Sequence, residues 1–268
     1  MDTRTILLDV GGTFIKRPGL PPVPIASAGS REEIAGALRA AVTPGLTGGL
    51  TRIGIAIPGP FDFQKGIFLM KHKFAAVYGE SFAELACIPE GIDIRFRHDV
   101  ISVLEGALRM MDLEGDTALV SIGTGLGFTC AVEGKVLYGP TGSPAVSIWS
   151  KPYGNGILED IVSARGIRKL YADMGGSENL SAAGIAKRAY DGEELAYKAF
   201  CRMGEALAQA LEELTEQYRF RTILFAGGVS RALVLMEQAL RDRLGDIRIA
   251  MAPEGAVFRG LEALFENI

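Results

Sequence analysis

Two glycine-rich turns in this chain, each with a threonine, have residue types suited to binding phosphate. Each follows an apolar, strand-like run and leads into another extended run, which predicts a β-hairpin with backbone N–H groups at its tip. Such groups can bind phosphate oxygens, and a threonine hydroxyl beside them can donate a further hydrogen bond. Two such tips could hold one polyphosphate from both sides. The residues concerned are Gly11, Gly12 and Thr13 in LLDVGGT, and Gly123, Thr124 and Gly125 in SIGTGLGF.

Other phosphate-binding patterns fit these turns less well. Gly123, Gly125 and Gly127 suggest a dinucleotide fingerprint, but that motif needs a helix directly after the glycines. The segment that follows alternates in polarity and is broken at Glu133-Gly134, as in a hairpin. No GxxxxGK[ST] string occurs either. Each turn taken alone could be an ordinary tight turn; the pair favours a phosphate site.

Two aspartates stand where strand-like runs end. Asp99 lies between the extended run IDIRFRHD and the helical pattern VISVLEGALRMM, so it could cap a helix or accept a proton in a reaction. Asp9 precedes the first glycine turn, where it could stabilise the turn or hold Mg²⁺ directly or through water. Lys16 could add positive charge nearby, but we expect it to face solvent.

A second glycine pair follows another apolar run. Gly227 and Gly228 come after TILFA and open a predicted helix. They could permit close packing of strand and helix, or close approach of adenine or ribose.

Strands and helices alternate through much of the chain, which predicts an α/β fold with two sheets. Strands are predicted near residues 4–10, 52–57, 92–97, 116–121, 126–132, 221–225 and 246–250. Helices are predicted near 30–41, 100–111, 157–170, 181–190, 193–217, 229–243 and 255–266.

Composition is consistent with a compact enzyme. With 268 residues, 48% of them hydrophobic, the chain can bury a substantial core. A net charge of −4 does not suggest a nucleic-acid-binding surface, and three cysteines far apart do not suggest a disulfide framework. We find neither a signal peptide nor a membrane span in the sequence, so we expect a cytoplasmic protein without a membrane partner.

Five segments, taken in order, resemble the actin-like sugar kinases, and among them the ROK family of bacterial glucokinases and N-acetylhexosamine kinases. They are LDVGGT, GIAIPGPFD (54–62), HDV (98–100), SIGTGLGF and FAGGVS (225–230), and the resemblance covers nearly the whole chain. The resemblance implies a two-lobed actin-like ATPase (ribonuclease H-like) fold with its active site in the interdomain cleft. The first lobe would span 1–106, completed by the C-terminal helix 255–268, and the second would span 107–254.

The resemblance also implies roles for single residues. Asp99 would be the catalytic base that takes the proton of the sugar hydroxyl, and Gly59 and His98 would lie on the sugar side. His98 stands where the family usually has Asn. The two glycine turns would bind the phosphates of ATP with Mg²⁺ near Asp9, while Gly227 and Gly228 would bind its adenosine.

The sugar side departs from the family pattern. The usual GEIGH segment and the CxCGxxGCxE zinc loop are replaced by TGSPAVSIWSKPYGNGILED (141–160), which retains only Glu159 at the position of a sugar-binding Glu. Glu159 could equally be a first-turn helix residue. We predict no zinc site, and we expect Trp149 and Tyr153 to anchor the loop by packing.

The segment KHKFAAVYGESFAEL (71–85) lacks the family's Asn and Trp and carries Lys71, His72 and Lys73. This cluster could be merely solvated, or it could favour an acidic or phosphorylated acceptor.

The sequence therefore predicts an ATP-dependent kinase for a small-molecule sugar, without a nucleic-acid partner. A nucleotide- or sugar-binding sensor with a degraded acceptor site is the alternative, and a kinase that forms an acyl phosphate is a third reading. Which sugar is phosphorylated stays open, as does the oligomeric state, with a homodimer as one alternative.

Overall fold

The computed structural model describes residues 4–46 and 49–266 of the chain. In chain order the strands are β1 (Thr5–Val10), β2 (Phe14–Arg17), β3 (Leu20–Pro24), β4 (Arg52–Ile57), β5 (Phe61–Asp62), β6 (Ile67–Phe68), β7 (Asp93–His98), β8 (Thr117–Ile122), β9 (Leu126–Val132), β10 (Lys135–Val136), β11 (Pro152–Tyr153), β12 (Gly156–Ile157), β13 (Thr222–Ala226) and β14 (Arg248–Met251). The α-helices are α1 (Arg31–Leu46), α2 (Phe82–Leu85), α3 (Asp99–Met110), α4 (Ala164–Asp173), α5 (Ala182–Tyr190), α6 (Glu194–Tyr218), α7 (Glu237–Leu244) and α8 (Ala256–Glu262). Short 3₁₀ segments cover Ala75–Val77, Leu158–Asp160 and Val229–Leu235.

The chain forms two compact units. The first consists of Met1–Met111, Tyr138–Ala145 and Pro253–Ile268, and the second of Asp112–Leu137 and Val146–Ala252.

The first unit contains a five-stranded sheet in the order β3-β2-β1-β4-β7. Strands β1, β4 and β7 are parallel, while β2 and β3 extend the sheet in antiparallel hairpins. The central strand β4 is buried over five of its six residues, as expected for a strand covered on both faces. Parallel pairing brings the carboxyl ends of β1, β4 and β7 to the same edge of the sheet.

The second unit repeats this plan. Its sheet has the order β10-β9-β8-β13-β14, with β8, β13 and β14 parallel and β9 and β10 antiparallel. Each unit therefore begins with a parallel strand that turns back through a glycine hairpin.

Helices α3 and α8 pack closely in the first unit because each has a glycine at the contact. A Cβ atom on Gly106 would overlap the backbone of Ala256, and one on Gly260 would overlap the backbone of Ser102. This packing supports the helix that begins at Asp99.

Two predicted helices differ from the structure. The helix predicted over 157–170 consists of the 3₁₀ segment Leu158–Asp160 followed by α4, because the Oγ atom of Ser163 accepts a hydrogen bond from the N–H of Gly166, at 3.1 Å, and caps a new helix. The helix predicted over 229–243 consists of the 3₁₀ segment Val229–Leu235, which has non-helical backbone at Ala232, followed by α7. Residues 267 and 268 of the predicted C-terminal helix lie outside the described residues.

Within the described residues, no helix has both the length and the apolar character needed to cross a membrane.

Candidate active site

Asp99 is the first residue of α3, directly after β7. The N-cap is His98, whose backbone is extended (φ −61°, ψ 136°), so Asp99 is not the capping residue that its position in the sequence suggested. Its Oδ1 atom accepts a hydrogen bond from the N–H of Val100, at 2.7 Å. The helix start therefore fixes the carboxylate at the carboxyl end of the sheet.

The imidazole of His98 lies beside this carboxylate. Its Nδ1 atom is 2.8 Å from Oδ1 of Asp99, within ion-pair distance, but the alignment is not that of a hydrogen bond. The His98 side chain is 15% exposed and that of Asp99 34%. The more open carboxylate is therefore the group that a ligand can reach.

The surroundings of Asp99 favour its charged form. Burial raises its pKa, but the charge interaction with His98, the N–H of Val100 and the charge of Lys73 together hold that pKa below its ordinary value. Asp99 is therefore ionised at neutral pH.

Gly59 packs against the other edge of the imidazole. A Cβ atom at this position would lie 3.3 Å from Nε2 of His98, so a side chain here would crowd the ring. The ring of Phe63 lies 5.8 Å from it, centroid to centroid. The predicted sugar-side residues Gly59 and His98 thus lie together beside Asp99, and Phe63 joins them without any signal in the sequence.

Asp9 is at the same edge of the sheet, near the end of β1. Its side chain is 17% exposed, and its Oδ2 atom accepts a hydrogen bond from Nζ of Lys16, at 3.2 Å. Burial and the charge of Asp99 raise the pKa of Asp9, while Lys16 lowers it, and the net effect is a raised pKa. Lys16 is 65% exposed, so it faces solvent and also pairs with Asp9.

The first glycine turn forms the tip of the β1–β2 hairpin. The N–H of Gly11 bonds to the carbonyl of Phe14 across the turn, at 3.0 Å. Within the described residues, the N–H groups of Gly12 and Thr13 have no partner in the protein, and the Thr13 side chain is exposed. The tip can therefore offer two N–H groups and a hydroxyl to an anion.

Ser27 connects this tip to the basic segment 71–73. Its N–H donates to the carbonyl of Gly12, at 3.2 Å, and its own carbonyl accepts from the N–H of Phe74, at 2.6 Å. Phe74 is fully buried. The chain just after Lys73 is therefore fixed beside the first glycine turn, which the sequence did not reveal because the residues are far apart in it.

The second glycine turn forms the tip of the β8–β9 hairpin. The N–H of Gly123 bonds to the carbonyl of Gly125, at 3.0 Å, and the N–H groups of Thr124 and Gly125 lack a protein partner among the described residues. The side chain of Thr124 is exposed. The two hairpins thus present the same arrangement, each within its own unit.

Glu159 contacts this second hairpin. Its Oε2 atom accepts a hydrogen bond from the N–H of Leu126, at 2.8 Å, and a Cβ atom on Gly125 would lie only 2.6 Å from the same oxygen. The residue predicted to bind sugar is thus engaged with a predicted phosphate turn.

The loop before Glu159 is held differently from our expectation. Trp149 is 48% exposed and does not act as a buried anchor, although its carbonyl accepts from the N–H of Glu159, at 3.0 Å. Tyr153 packs partly against the core, while Ile148 and Leu158 are buried in it. The aliphatic residues anchor the loop because they fit a continuous apolar core, whereas the indole ring remains at the surface.

Gly227 follows β13 with a positive φ of 90°, and a Cβ atom there would overlap the backbone of Ile122 at the end of β8. Close strand packing therefore accounts for this glycine. Gly228 has open space around it and lies on a cavity of about 260 Å³. Its lining includes Ala182, Ala186, Tyr190, Phe200, Gly228 and Ala232.

No three His, Cys, Asp or Glu side chains within the described ranges are grouped as a metal site would need. Cys87, Cys130 and Cys201 are free thiols. Burial raises the pKa of Cys130 to about 11, so this thiol is protonated at neutral pH.

Two five-stranded sheets of one plan, each turning through a glycine hairpin, define an α/β protein with the actin-like ATPase fold. The model of the ROK family matches residues 152–258, which confirms the resemblance to that family.

Solved structures have the same fold. A ROK family glucokinase from Streptomyces griseus, in complex with glucose and AMPPNP, superposes with a TM-score of 0.78 at 20% identity, over 97% of this chain and 98% of its own. A ROK hexokinase from Thermus thermophilus gives a TM-score of 0.71 at 18% identity, over 96% of each chain. A ROK family transcriptional regulator, a homologue of the E. coli MLC protein, gives 0.72 at 18% identity, over 97% of this chain and 80% of the regulator. No curated protein sequence matches this chain significantly.

Proposed function

We propose that the protein is an ATP-dependent kinase that phosphorylates a hydroxyl group of a sugar or sugar derivative. The observation that carries this proposal is the ionised, partly open carboxylate of Asp99 beside His98 and Gly59. A group in that state can accept a proton from a hydroxyl and orient its oxygen. The fold shared with a glucokinase that binds glucose and AMPPNP supports the same reaction class.

Asp99 would orient the acceptor hydroxyl and take its proton as the phosphoryl group is transferred. Phosphoryl transfer depends mainly on positioning and charge stabilisation, so a base with a low pKa suffices. His98 and Gly59 shape the space beside the carboxylate. The unpaired N–H groups at the tip of each glycine hairpin are suited to phosphate oxygens.

The residues present fit a magnesium ion bound together with ATP. Mg²⁺ commonly takes one or two protein carboxylates and completes its shell with phosphates and water. Asp9 is a single partly buried carboxylate whose pKa is raised by desolvation and by the charge of Asp99, so a cation would relieve this repulsion. Asp9 would hold the ion directly or through water, and the bound ion would neutralise phosphate charge.

The cavity beside Gly228 is the proposed adenosine site. It is lined by small and aromatic residues of α5, α6 and the segment 228–232, together with Lys187 and Arg231. Because Gly228 has no side chain, a purine or ribose could approach the backbone there. Gly227 then has a structural role next to this site.

A panel of sugars assayed for ATP consumption tests the proposal. We expect at least one sugar or sugar derivative to stimulate ADP release, with the phosphorylated sugar identified by mass spectrometry. Absence of sugar-dependent turnover across neutral, N-acetylated, acidic and phosphorylated sugars, in folded protein with Mg²⁺, would contradict the kinase assignment.

A sensor that binds nucleotide or sugar without turnover is the second candidate. The hydrogen bond between Glu159 and the second hairpin favours a sensor, because Glu159 would then not be available to bind a sugar. The similarity to a ROK family regulator is compatible with this candidate. Calorimetry that detects sugar or nucleotide binding without ATP turnover would identify a sensor.

A further inference from the structure

We infer that Glu159 is a positioning residue for the second glycine hairpin and not a ligand of the acceptor. The kinetic part of this inference rests on the proposed kinase function. The structural part concerns the contact between Glu159 and the hairpin and can be tested without any substrate.

The first support is the hydrogen bond that Glu159 accepts. Its Oε2 atom receives the N–H of Leu126, at 2.8 Å, directly after the hairpin tip. Leu126 is buried, with 5% of its surface exposed, so its N–H needs a partner in the protein. The carboxylate thus satisfies a backbone donor that fixes the orientation of the tip.

The second support is the absence of a side chain at the neighbouring position. A Cβ atom on Gly125 would lie 2.6 Å from Oε2 of Glu159, closer than real Cβ atoms come to other atoms. Gly125 is not among the residues with positive φ, so its backbone does not itself require glycine. A side chain at Gly125 would therefore displace the carboxylate from the N–H of Leu126.

The third support is a set of hydrogen bonds that hold the backbone of Glu159 in place. Its N–H donates to the carbonyl of Trp149, at 3.0 Å, and its carbonyl accepts from Oγ of the buried Ser163, at 2.7 Å. The N–H of Ala164 then donates to the carbonyl of Gly123, at 2.8 Å. The segment 159–164 therefore bonds to the hairpin at Gly123, before the tip, and at Leu126, after it.

The kinetic test compares Glu159→Ala, Glu159→Gln and the exposed control Glu216→Ala on α6. Loss of a hydrogen bond to a charged group should raise the KM for ATP by roughly tenfold in Glu159→Ala. The KM for the acceptor should change by less than about twofold. Glu159→Gln should restore most of the ATP affinity, because its amide oxygen can still accept the N–H of Leu126. The control should behave like the wild-type protein.

The opposite pattern would overturn the inference. If Glu159 binds the acceptor, both Glu159 variants should raise the acceptor KM while the KM for ATP stays constant.

Amide exchange measured by NMR gives a substrate-free readout. The N–H of Leu126 should exchange faster in Glu159→Ala and near the wild-type rate in Glu159→Gln. Unchanged protection in Glu159→Ala would show that the contact does not order the hairpin. Absence of kinase activity in the wild-type protein would contradict the proposed function. The exchange experiment would still show whether Glu159 orders the hairpin.

A double-mutant cycle tests the same contact through stability, without any substrate. Gly125→Ala should lower the melting temperature in the wild-type background because of the clash with Oε2. The loss should be smaller when Ala replaces Glu159, and close to the wild-type loss when Gln does, because the amide oxygen of Gln occupies the position of Oε2. Equal losses in all backgrounds would contradict the proposed contact.

Discussion

The Nδ1 atom of His98 lies 2.8 Å from the Oδ1 atom of Asp99, at the point where β7 passes into α3. This pair sets the charge and the position of the proposed base. The same oxygen of Asp99 also accepts the N–H of Val100, so a helix start and an imidazole act on one carboxylate.

Replacing Asp99 with Asn tests the base. We expect turnover to fall by roughly 10²-fold or more, the usual scale for loss of a general base. Asn can still accept the N–H of Val100, so ATP affinity should stay near that of the wild-type protein, and the melting temperature should fall only slightly through loss of the charge interaction with His98. Asp93→Asn, which changes an exposed aspartate of β7, is the matched control. A folded Asp99→Asn protein with full activity would show that Asp99 is not the base.

The pH profile tests the influence of His98. A base must be deprotonated, so activity should fall as the pH drops through the pKa of Asp99, which lies below its ordinary value. His98→Asn removes an attraction that lowers this pKa, so the acidic limb of kcat/KM should move to higher pH. The same linkage applies to stability: the contribution of Asp99 is present above its unfolded pKa and is lost as the pH falls through the folded value. An acidic limb at the same pH in both proteins would exclude this coupling.

Asp9→Asn should separate stability from activity. The pKa of Asp9 is raised in the folded protein, so its charge costs stability as the pH rises from the unfolded pKa to the folded pKa, and the full cost is present above the folded value. We therefore expect an equal or higher melting temperature at neutral pH, and a loss of Mg²⁺-dependent turnover of roughly tenfold or more. Thermal melting and a Mg²⁺ titration of the rate measure the two effects. A variant that is less stable and fully active would contradict both expectations.

Gly12→Val tests the first hairpin. A Cβ atom at this position would lie 3.2 Å from Oγ of Ser27, and the larger side chain would also obstruct phosphate at the tip. ATP affinity measured by calorimetry should fall roughly tenfold or more, as expected when several hydrogen bonds to phosphate are weakened. Gly36→Ala in α1 is a suitable control, whereas Gly134 has a positive φ of 73° and would be strained by any side chain. Unchanged ATP affinity in folded Gly12→Val protein would remove this hairpin from the nucleotide site.

We predict that the protein binds no zinc. Elemental analysis of protein purified without added metal should find well under one zinc per chain, and a chelator should leave the melting temperature unchanged. The segment 141–160, which stands where the family has its zinc loop, is anchored by Ile148 and Leu158 in an apolar core. This packing explains how the segment could fold without metal. Stoichiometric zinc would refute this prediction.

The sequence alone determined the α/β class, the two repeated sheets and both glycine hairpins. These features depend on local patterns: alternating apolar runs, glycine at the turns, and Asp99 where a strand-like alternation of polarity gives way to a helical pattern. The break between Leu158–Asp160 and α4 was missed although Ser163 is a recognisable capping residue, because the apolar pattern continues across it.

Only the tertiary structure decided the partners of these residues. Ser27 bonds to both Gly12 and Phe74, Gly59 packs against the imidazole of His98, and Glu159 accepts the N–H of Leu126. Each contact joins residues that are distant in the chain, so no local pattern encodes it. The charge state of Asp99 likewise depends on burial and on neighbouring charges, which exist only once the chain has folded.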